Sequence, residues 1–179
     1  TLEISTESVQ QGETVCLDVT ASNFEHVLAM QFSVAYDETA LVFNGIESIN
    51  LPDLLLINFG NPNPGELVLS WFSNSDLING ATVSDGTTLF QLCFDVIGGE
   101  GVYPVEFSNF PTPIEVIDAI TKLGINPINL INGEVEIEGD NANFKLDLSE
   151  GTAVIGELVC LDVHAFEFNN IVSMQYGIE

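Results

Sequence analysis

Three cysteines, two histidines and a large excess of carboxylates are the groups in this sequence that could do chemistry. A thiol becomes a nucleophile when a neighbouring cation or base favours the thiolate, and no basic residue stands near Cys16 or Cys93 in the sequence. Paired carboxylates such as Asp37-Glu38 are of the type that glycosidases use, but the solvated surface of a sandwich accounts for every acidic position without such a pair. No G-x-S-x-G, H-E-x-x-H, P-loop or G-x-G-x-x-G string occurs. Neither an EF-hand loop nor a calcium-binding nonapeptide is present. The sequence is therefore expected to be non-catalytic and to need no cofactor.

The charge balance narrows the partners. Twenty-seven acidic residues face two lysines, Lys122 and Lys145, for a net charge of −25. Phosphate backbones need a basic footprint, so nucleic acid is excluded, and anionic lipid headgroups are disfavoured for the same reason. No apolar run is long enough for a membrane helix, so membrane insertion is not expected. The acidity has two readings. One is a surface kept soluble in a salty medium. The other is a Ca²⁺ site, for which Glu138 and Asp140 are the candidate ligands.

The chain repeats itself. Residues 12–19 read GETVCLDV and residues 156–163 read GELVCLDV, an ungapped offset of 144. Residues 2–34 and 146–178 share 13 identities over 33 positions. A period of this size is a whole domain rather than a solenoid rung. The expected organisation is a first domain at 1–138, a short linker at 139–145, and the opening strands of a second copy at 146–179. The eight residues EGDNANFK at 138–145 would span only about 15 Å as a flexible coil, so successive copies are expected close together. His26 aligns with Asn170 and His164 with Thr20, so neither histidine recurs as an activity of the repeat would require. Both read as surface residues. No signal-peptide pattern opens the sequence, so any secretion signal is expected to be removed or to lie outside it.

Strict alternation marks the elements that position these groups. Val15, Leu17 and Val19 share one face of a strand, with Cys16, Asp18 and Thr20 on the other. The same pattern runs through Met30 to Tyr36, Leu67 to Trp71, Phe90 to Val96 and Val135 to Ile137, separated by Asn-Gly, Asp-Gly and Gly-Gly turn pairs. Pro52 is placed to open one helical turn through Leu56. About nine strands result, and a two-sheet jelly-roll sandwich is the architecture that fits.

Cys16 and Cys93 both lie opposite the apolar stripe, in the matching strings CLDV and CFDV. If their strands are antiparallel neighbours, Asp18 faces Gln91 and Asp95 faces Thr14. A parallel register would set Asp18 against Asp95, and like charges directly opposite are destabilising. A Cys16–Cys93 disulfide is the preferred reading; the alternative is two small, half-buried thiols. Cys160 is the copy of Cys16, with its partner expected past residue 179. Trp71 shares its face with Leu67 and Leu69 and belongs to the core. Phe72, on the other face, is the candidate aromatic platform for a ligand such as a sugar.

The order and spacing of VLAMQFSVAYDETALVFNGIE at 27–47, PGELVLSWFS at 64–73 and DGTTLFQLCFDVIG at 85–98 resemble the cohesin modules of cellulosome scaffolds. The likeness covers residues 2–138 and again 146–179. It is closer still to cohesin-like repeats of giant secreted adhesins and filament proteins, including the grappling-hook filaments of predatory filamentous bacteria. The resemblance implies a nine-stranded jelly roll, secretion to the cell surface, and binding or assembly rather than catalysis. Two features set this chain apart from cellulosomal cohesins: the linker is short, and a cysteine stands in the CLDV string. The expected function is a structural or adhesive repeat of a large extracellular protein. Copies would form a filament or homo-oligomer, with strand exchange as one route. The alternative is recognition of a dockerin-like protein or a polysaccharide.

Overall fold

The structure, a computed structural model, describes residues 1–139, 145–166 and Gln175. The chain divides into two compact units, Thr1–Gly139 and Asp140–Glu179. In the first unit the strands are β1 (Leu2–Ile4), β2 (Thr6–Gln10), β3 (Thr14–Ala21), β4 (Phe24–Tyr36), β5 (Leu41–Glu47), β6 (Phe59–Asn63), β7 (Glu66–Phe72), β8 (Ala81–Val83), β9 (Thr87–Val96), β10 (Gly101–Ser108), β11 (Glu115–Asp118), β12 (Leu130–Ile131) and β13 (Gly133–Glu138). One sheet has the order β12-β1-β3-β9-β5, and the other runs β2-β13-β10-β4-β7-β6 with β11 and β8 also on β4. This is the expected all-β sandwich. The alternating apolar residues of both sheets meet in one core, where Leu17, Phe32, Trp71, Phe90 and Phe94 are almost fully buried. Edge-on aromatic pairs pack the core, Phe59 of β6 against Phe90 of β9 across the two sheets at 5.0 Å, and Phe32 of β4 against Phe107 of β10 within one sheet at 5.1 Å between ring centroids.

Two local departures have clear causes. The N-terminal run forms two strands because the chain changes sheet at Ser5. The Ser5 N–H donates to Asp18 O at 2.9 Å, and Ser5 Oγ accepts from the Asp18 N–H at 2.9 Å. That clasp leaves β1 paired with β3 and β2 paired with β13. The helical turn expected from Pro52 instead forms as a 3₁₀ turn at Leu56–Asn58. Asp53 adopts φ 62° and its carboxylate accepts the Ser75 N–H at 2.8 Å, holding residues 52–54 in a tight turn. That turn buries Leu51 and Leu54, and burial outweighs the preference of proline for a first helical position.

Within the second unit, β14 (Lys145–Leu148) pairs antiparallel with β15 (Val163–Phe166) in the register Leu146↔Ala165, Asp147↔His164, Leu148↔Val163. In the first unit the corresponding register is Leu2↔Ala21, Glu3↔Thr20, Ile4↔Val19. The Ser5–Asp18 clasp recurs as Ser149 N–H to Asp162 O at 2.9 Å and Asp162 N–H to Ser149 Oγ at 2.8 Å. Gly12 at φ 87° and Gly156 at φ 92° turn the chain at equivalent points, a conformation that glycine alone adopts without cost. Matching residues at a fixed offset thus give the same local geometry twice.

Candidate functional site: a low-charge face on the β4 sheet

The disulfide is formed. Cys16 and Cys93 are directly opposed on β3 and β9, with S–S 2.03 Å and Cα atoms 4.0 Å apart. The flanking pairs are Thr14↔Asp95 and Asp18↔Gln91, the register expected from charge avoidance. The Thr14 hydroxyl and the Asn44 amide donate to Asp95 Oδ1 at 2.7 Å each, and this holds the Asp95 carboxyl below its ordinary value. Among the described residues, one group of metal-ligand type is compact, formed by Cys16, Glu47 and Cys93. Both of its sulfurs are already committed to the disulfide. Cys160 is a free, exposed thiol.

The other sequence candidates fall in different places. Glu138 accepts a hydrogen bond from Gln10 Nε2 at 2.8 Å across the β13–β2 pair. Asp140 lies outside the described residues. Trp71 is in the core and donates from Nε1 to Pro52 O at 2.8 Å. Both His26 and His164 are exposed. Phe72 is also exposed, on the outward face of β7 opposite Ala29 of β4.

Around Phe72 a shallow cleft opens on the outer face of the sheet, lined by Ala29 and Gln31 of β4, Ser70 and Phe72 of β7, and Glu115 and Ile117 of β11. Strand register builds it, because Ala29 pairs with both Phe72 and Ile117, and Gln31 pairs with both Ser70 and Glu115. Gln31 reaches Glu115 at 3.4 Å, so the one carboxylate in the cleft already has a donor. Next along β4, Ser33 is covered by the 109–114 loop, exchanging hydrogen bonds with the Thr112 backbone at 2.8 and 3.0 Å. The same sheet is very different at β13, where Glu134, Glu136 and Glu138 all point outward. One face therefore carries an acidic edge and a nearly uncharged, partly apolar floor. Strand alternation showed that Phe72 points outward. It did not reveal that β11 would bring Ile117 to its side.

Two turns frame the end of this face, and both use an aspartate as a backbone cap. Asp76 Oδ1 accepts the N–H groups of Ile78 and Asn79 at 3.1 and 2.8 Å, and Asp118 Oδ1 those of Ile120 and Thr121 at 3.0 and 2.6 Å. The matching strings Asp76-Leu77-Ile78-Asn79 and Asp118-Ala119-Ile120-Thr121 were a readable signal that the sequence reading missed. The Asn79 and Thr121 donors hold the two carboxyls below their ordinary value of 3.8. A carboxyl whose folded pKa is depressed stabilises the fold above its unfolded pKa and loses that contribution as pH falls through the folded value. Thermal stability is accordingly expected to hold down to about pH 4 and to fall below it. Asp118→Ala should flatten that acid limb, as followed by circular dichroism melts between pH 2 and 6.

The Cohesin domain family matches residues 1–119. The chain belongs to the cohesin family. Its first unit also resembles solved cohesins at low identity. The sixth cohesin of Acetivibrio cellulolyticus scaffoldin B, solved in complex with a mutant Cel5 dockerin, is 21% identical with a TM-score of 0.63, over 77% of this chain and 98% of that one. CaCohA2 from Clostridium acetobutylicum is 20% identical with a TM-score of 0.61, over 78% and 92%. A non-cellulosomal cohesin from the archaeon Archaeoglobus fulgidus is 16% identical with a TM-score of 0.58, over 80% and 94%. No curated protein sequence matches the chain. Cohesin domains are non-catalytic binding modules, and this module is one of them. The disulfide between β3 and β9 braces the cohesin sandwich on the sheet opposite the Phe72 cleft.

Proposed function

We propose that this cohesin module recognises a dockerin-like protein partner through the outer face of β4, β7 and β11. The observation that carries the reading is the low-charge floor around Phe72 and Ile117 in a chain of net charge −25. Protein interfaces deplete charge at their centre and enrich aromatic residues, and this face fits both tendencies. Three solved relatives, from Clostridium acetobutylicum, Acetivibrio cellulolyticus and Clostridium thermocellum, were crystallised with dockerins, which supports a partner of that type. Secretion fits the disulfide, since such bonds persist in oxidising compartments. The test is calorimetric titration with a panel of calcium-loaded dockerins. Phe72→Asp is expected to weaken the best binder about thirtyfold, and Asp18→Asn on the other sheet to leave it unchanged. No binding across the panel, or binding indifferent to Phe72, would sink this reading.

A second reading, assembly of copies in a large extracellular surface protein, is favoured by the second unit. We read residues 146–179 as the opening of another cohesin module. Val159, Leu161 and Val163 are exposed there, whereas their counterparts Val15, Leu17 and Val19 are buried. The apolar face of those residues calls for a covering sheet, from elsewhere in a longer chain or from a second copy by strand exchange. Light scattering on the full chain beside a chain ending at Gly139 tests the exchange. An oligomer that becomes monomeric on truncation supports it, and two monomers count against it.

A further inference from the structure

The Cys16–Cys93 disulfide lies on the outward face of its sheet, among carboxylates. Residues two apart on a strand share a face, so Asp18 stands on the same side as Cys16 on β3, and Asp95 on the same side as Cys93 on β9. On the other flank β5 pairs with β9, setting Gly45 opposite Cys93 and Glu47 opposite Gln91. Gly45 has no side chain to separate Glu47 from the sulfurs. A Glu47 carboxylate oxygen and the two sulfurs all lie within 4.8 Å of one another. None of the five strands of this sheet carries a lysine, arginine or histidine. Lys122, the one lysine or arginine in residues 1–139, is bonded to Leu77 O, away from these strands.

That setting bears on how the bond can be opened. A thiolate attacks one sulfur of a disulfide and expels the other as a thiolate. Cys93 is 1% exposed and Cys16 is half-buried, so the Cys16 sulfur is the one a small thiol can reach. Attack there joins the reagent to Cys16 as a mixed disulfide and expels the Cys93 thiolate. A second reagent thiolate then attacks the reagent sulfur, releasing the oxidised reagent and the Cys16 thiolate. Two reagent thiols thus supply the two electrons that reduce the bond. The first step brings a negative charge up to Glu47 and leaves it on a buried sulfur within 4.8 Å of that carboxylate. Burial and a neighbouring negative charge both disfavour a thiolate, and a disfavoured thiolate leaves slowly.

We propose that Glu47 guards the disulfide by charge, slowing its exchange with anionic thiols far more than with neutral or cationic ones. The net charge of −25 adds a long-range repulsion of the same sign, which salt screens. Glu47 acts from well inside the Debye length, so its share survives at moderate salt. This protection lies on the sheet opposite the Phe72 cleft and is independent of what that cleft binds.

The test uses the full chain with Cys160→Ser, which leaves the disulfide as the sole cysteine chemistry. Reduction by mercaptoethylamine, mercaptoethanol and mercaptopropionate is followed by acid quenching, alkylation and mass spectrometry. Each rate is divided by the reagent's thiolate concentration and by its rate on a small neutral disulfide. At low salt the cationic thiol should be at least about thirtyfold faster than the anionic one, with the neutral thiol between them. Salt at about 1 M should narrow that ratio. Glu47→Gln should speed the anionic thiol about tenfold and the cationic thiol about threefold or less, with an unchanged near-ultraviolet circular dichroism spectrum. Glu134→Gln, an equal loss of charge on the other sheet, should leave all three rates within about twofold. The order of reagents is read on a chain with Glu47 intact, and rates that do not follow reagent charge overturn the proposal. A gain in the Glu47 variant that is equal for all three thiols assigns that residue a packing role and overturns it as well. So does a rate independent of thiol concentration, which would make local opening the limiting step.

Discussion

Replacing both Cys16 and Cys93 with alanine is expected to lower the unfolding free energy by about 4.5 kcal/mol on the chain-entropy account of a closed loop. The two residues are 77 apart in sequence, and the cross-link stabilises chiefly by restricting the unfolded chain. For a unit of this size that loss corresponds to a melting temperature lower by about 15 °C. Urea unfolding followed by tryptophan fluorescence reads the effect, because Trp71 is the one tryptophan and is buried. Cys160→Ala should leave the transition in place, as this thiol is free and exposed. A double variant with an unchanged midpoint would show that the cross-link does not restrict the unfolded chain appreciably. It would leave the disulfide no role in stability.

Trp71→Ala should cost about 4 kcal/mol, near the upper end for emptying a core aromatic site. Trp71 is 2% exposed, packs 6.2 Å from the Phe24 ring, and supplies the indole N–H that satisfies Pro52 O. Truncation therefore opens a cavity between the sheets and leaves a carbonyl without its donor, and the two costs add. Trp71→Phe separates them. It keeps most of the volume and removes the hydrogen bond, so a loss of about 1–2 kcal/mol is expected. The Pro52 bond also anchors the turn that buries Leu51 and Leu54, so the alanine variant should expose the 51–58 segment to proteolysis first. An alanine variant as stable as the parent would mean that this end of the core collapses freely around the gap.

Much of the sandwich is written locally in the chain. The period-two alternation in residues 15–19, 30–36, 67–71 and 90–96 is enough to set which side chains enter the core, because successive residues of a strand point to opposite faces. Like-charge avoidance at Asp18 and Asp95 was enough to choose the antiparallel register that brings Cys16 onto Cys93. The ungapped repeat likewise carries its geometry with it, since the β1–β3 register, the Ser–Asp clasp and the positive-φ glycine all depend on residues within one short segment.

The surface features are a different matter, because they are made by segments distant in sequence. Phe72 reads as outward-facing from alternation alone, but the cleft beside it exists only because β11 pairs with β4 and sets Ile117 level with Ala29. The sheet crossing at Ser5 and the displaced 3₁₀ turn at Leu56–Asn58 also escaped the sequence reading. Each is decided by hydrogen bonds to residues 13 and 22 positions away, Asp18 for Ser5 and Ser75 for Asp53. The Asp76 and Asp118 turns show the division most sharply. Two aspartate-capped turns are visible as matching strings, and the aliphatic residues within them are ordinary loop residues when read singly. Only the folded chain brings residues 76–80 and 118–124 together on His26 and joins them through the bond from Lys122 to Leu77 O. Sequence determines what a strand buries, because burial follows from local periodicity. Tertiary structure decides what the molecule presents, because a surface patch is a sum over segments whose order along the chain carries no record of their contact.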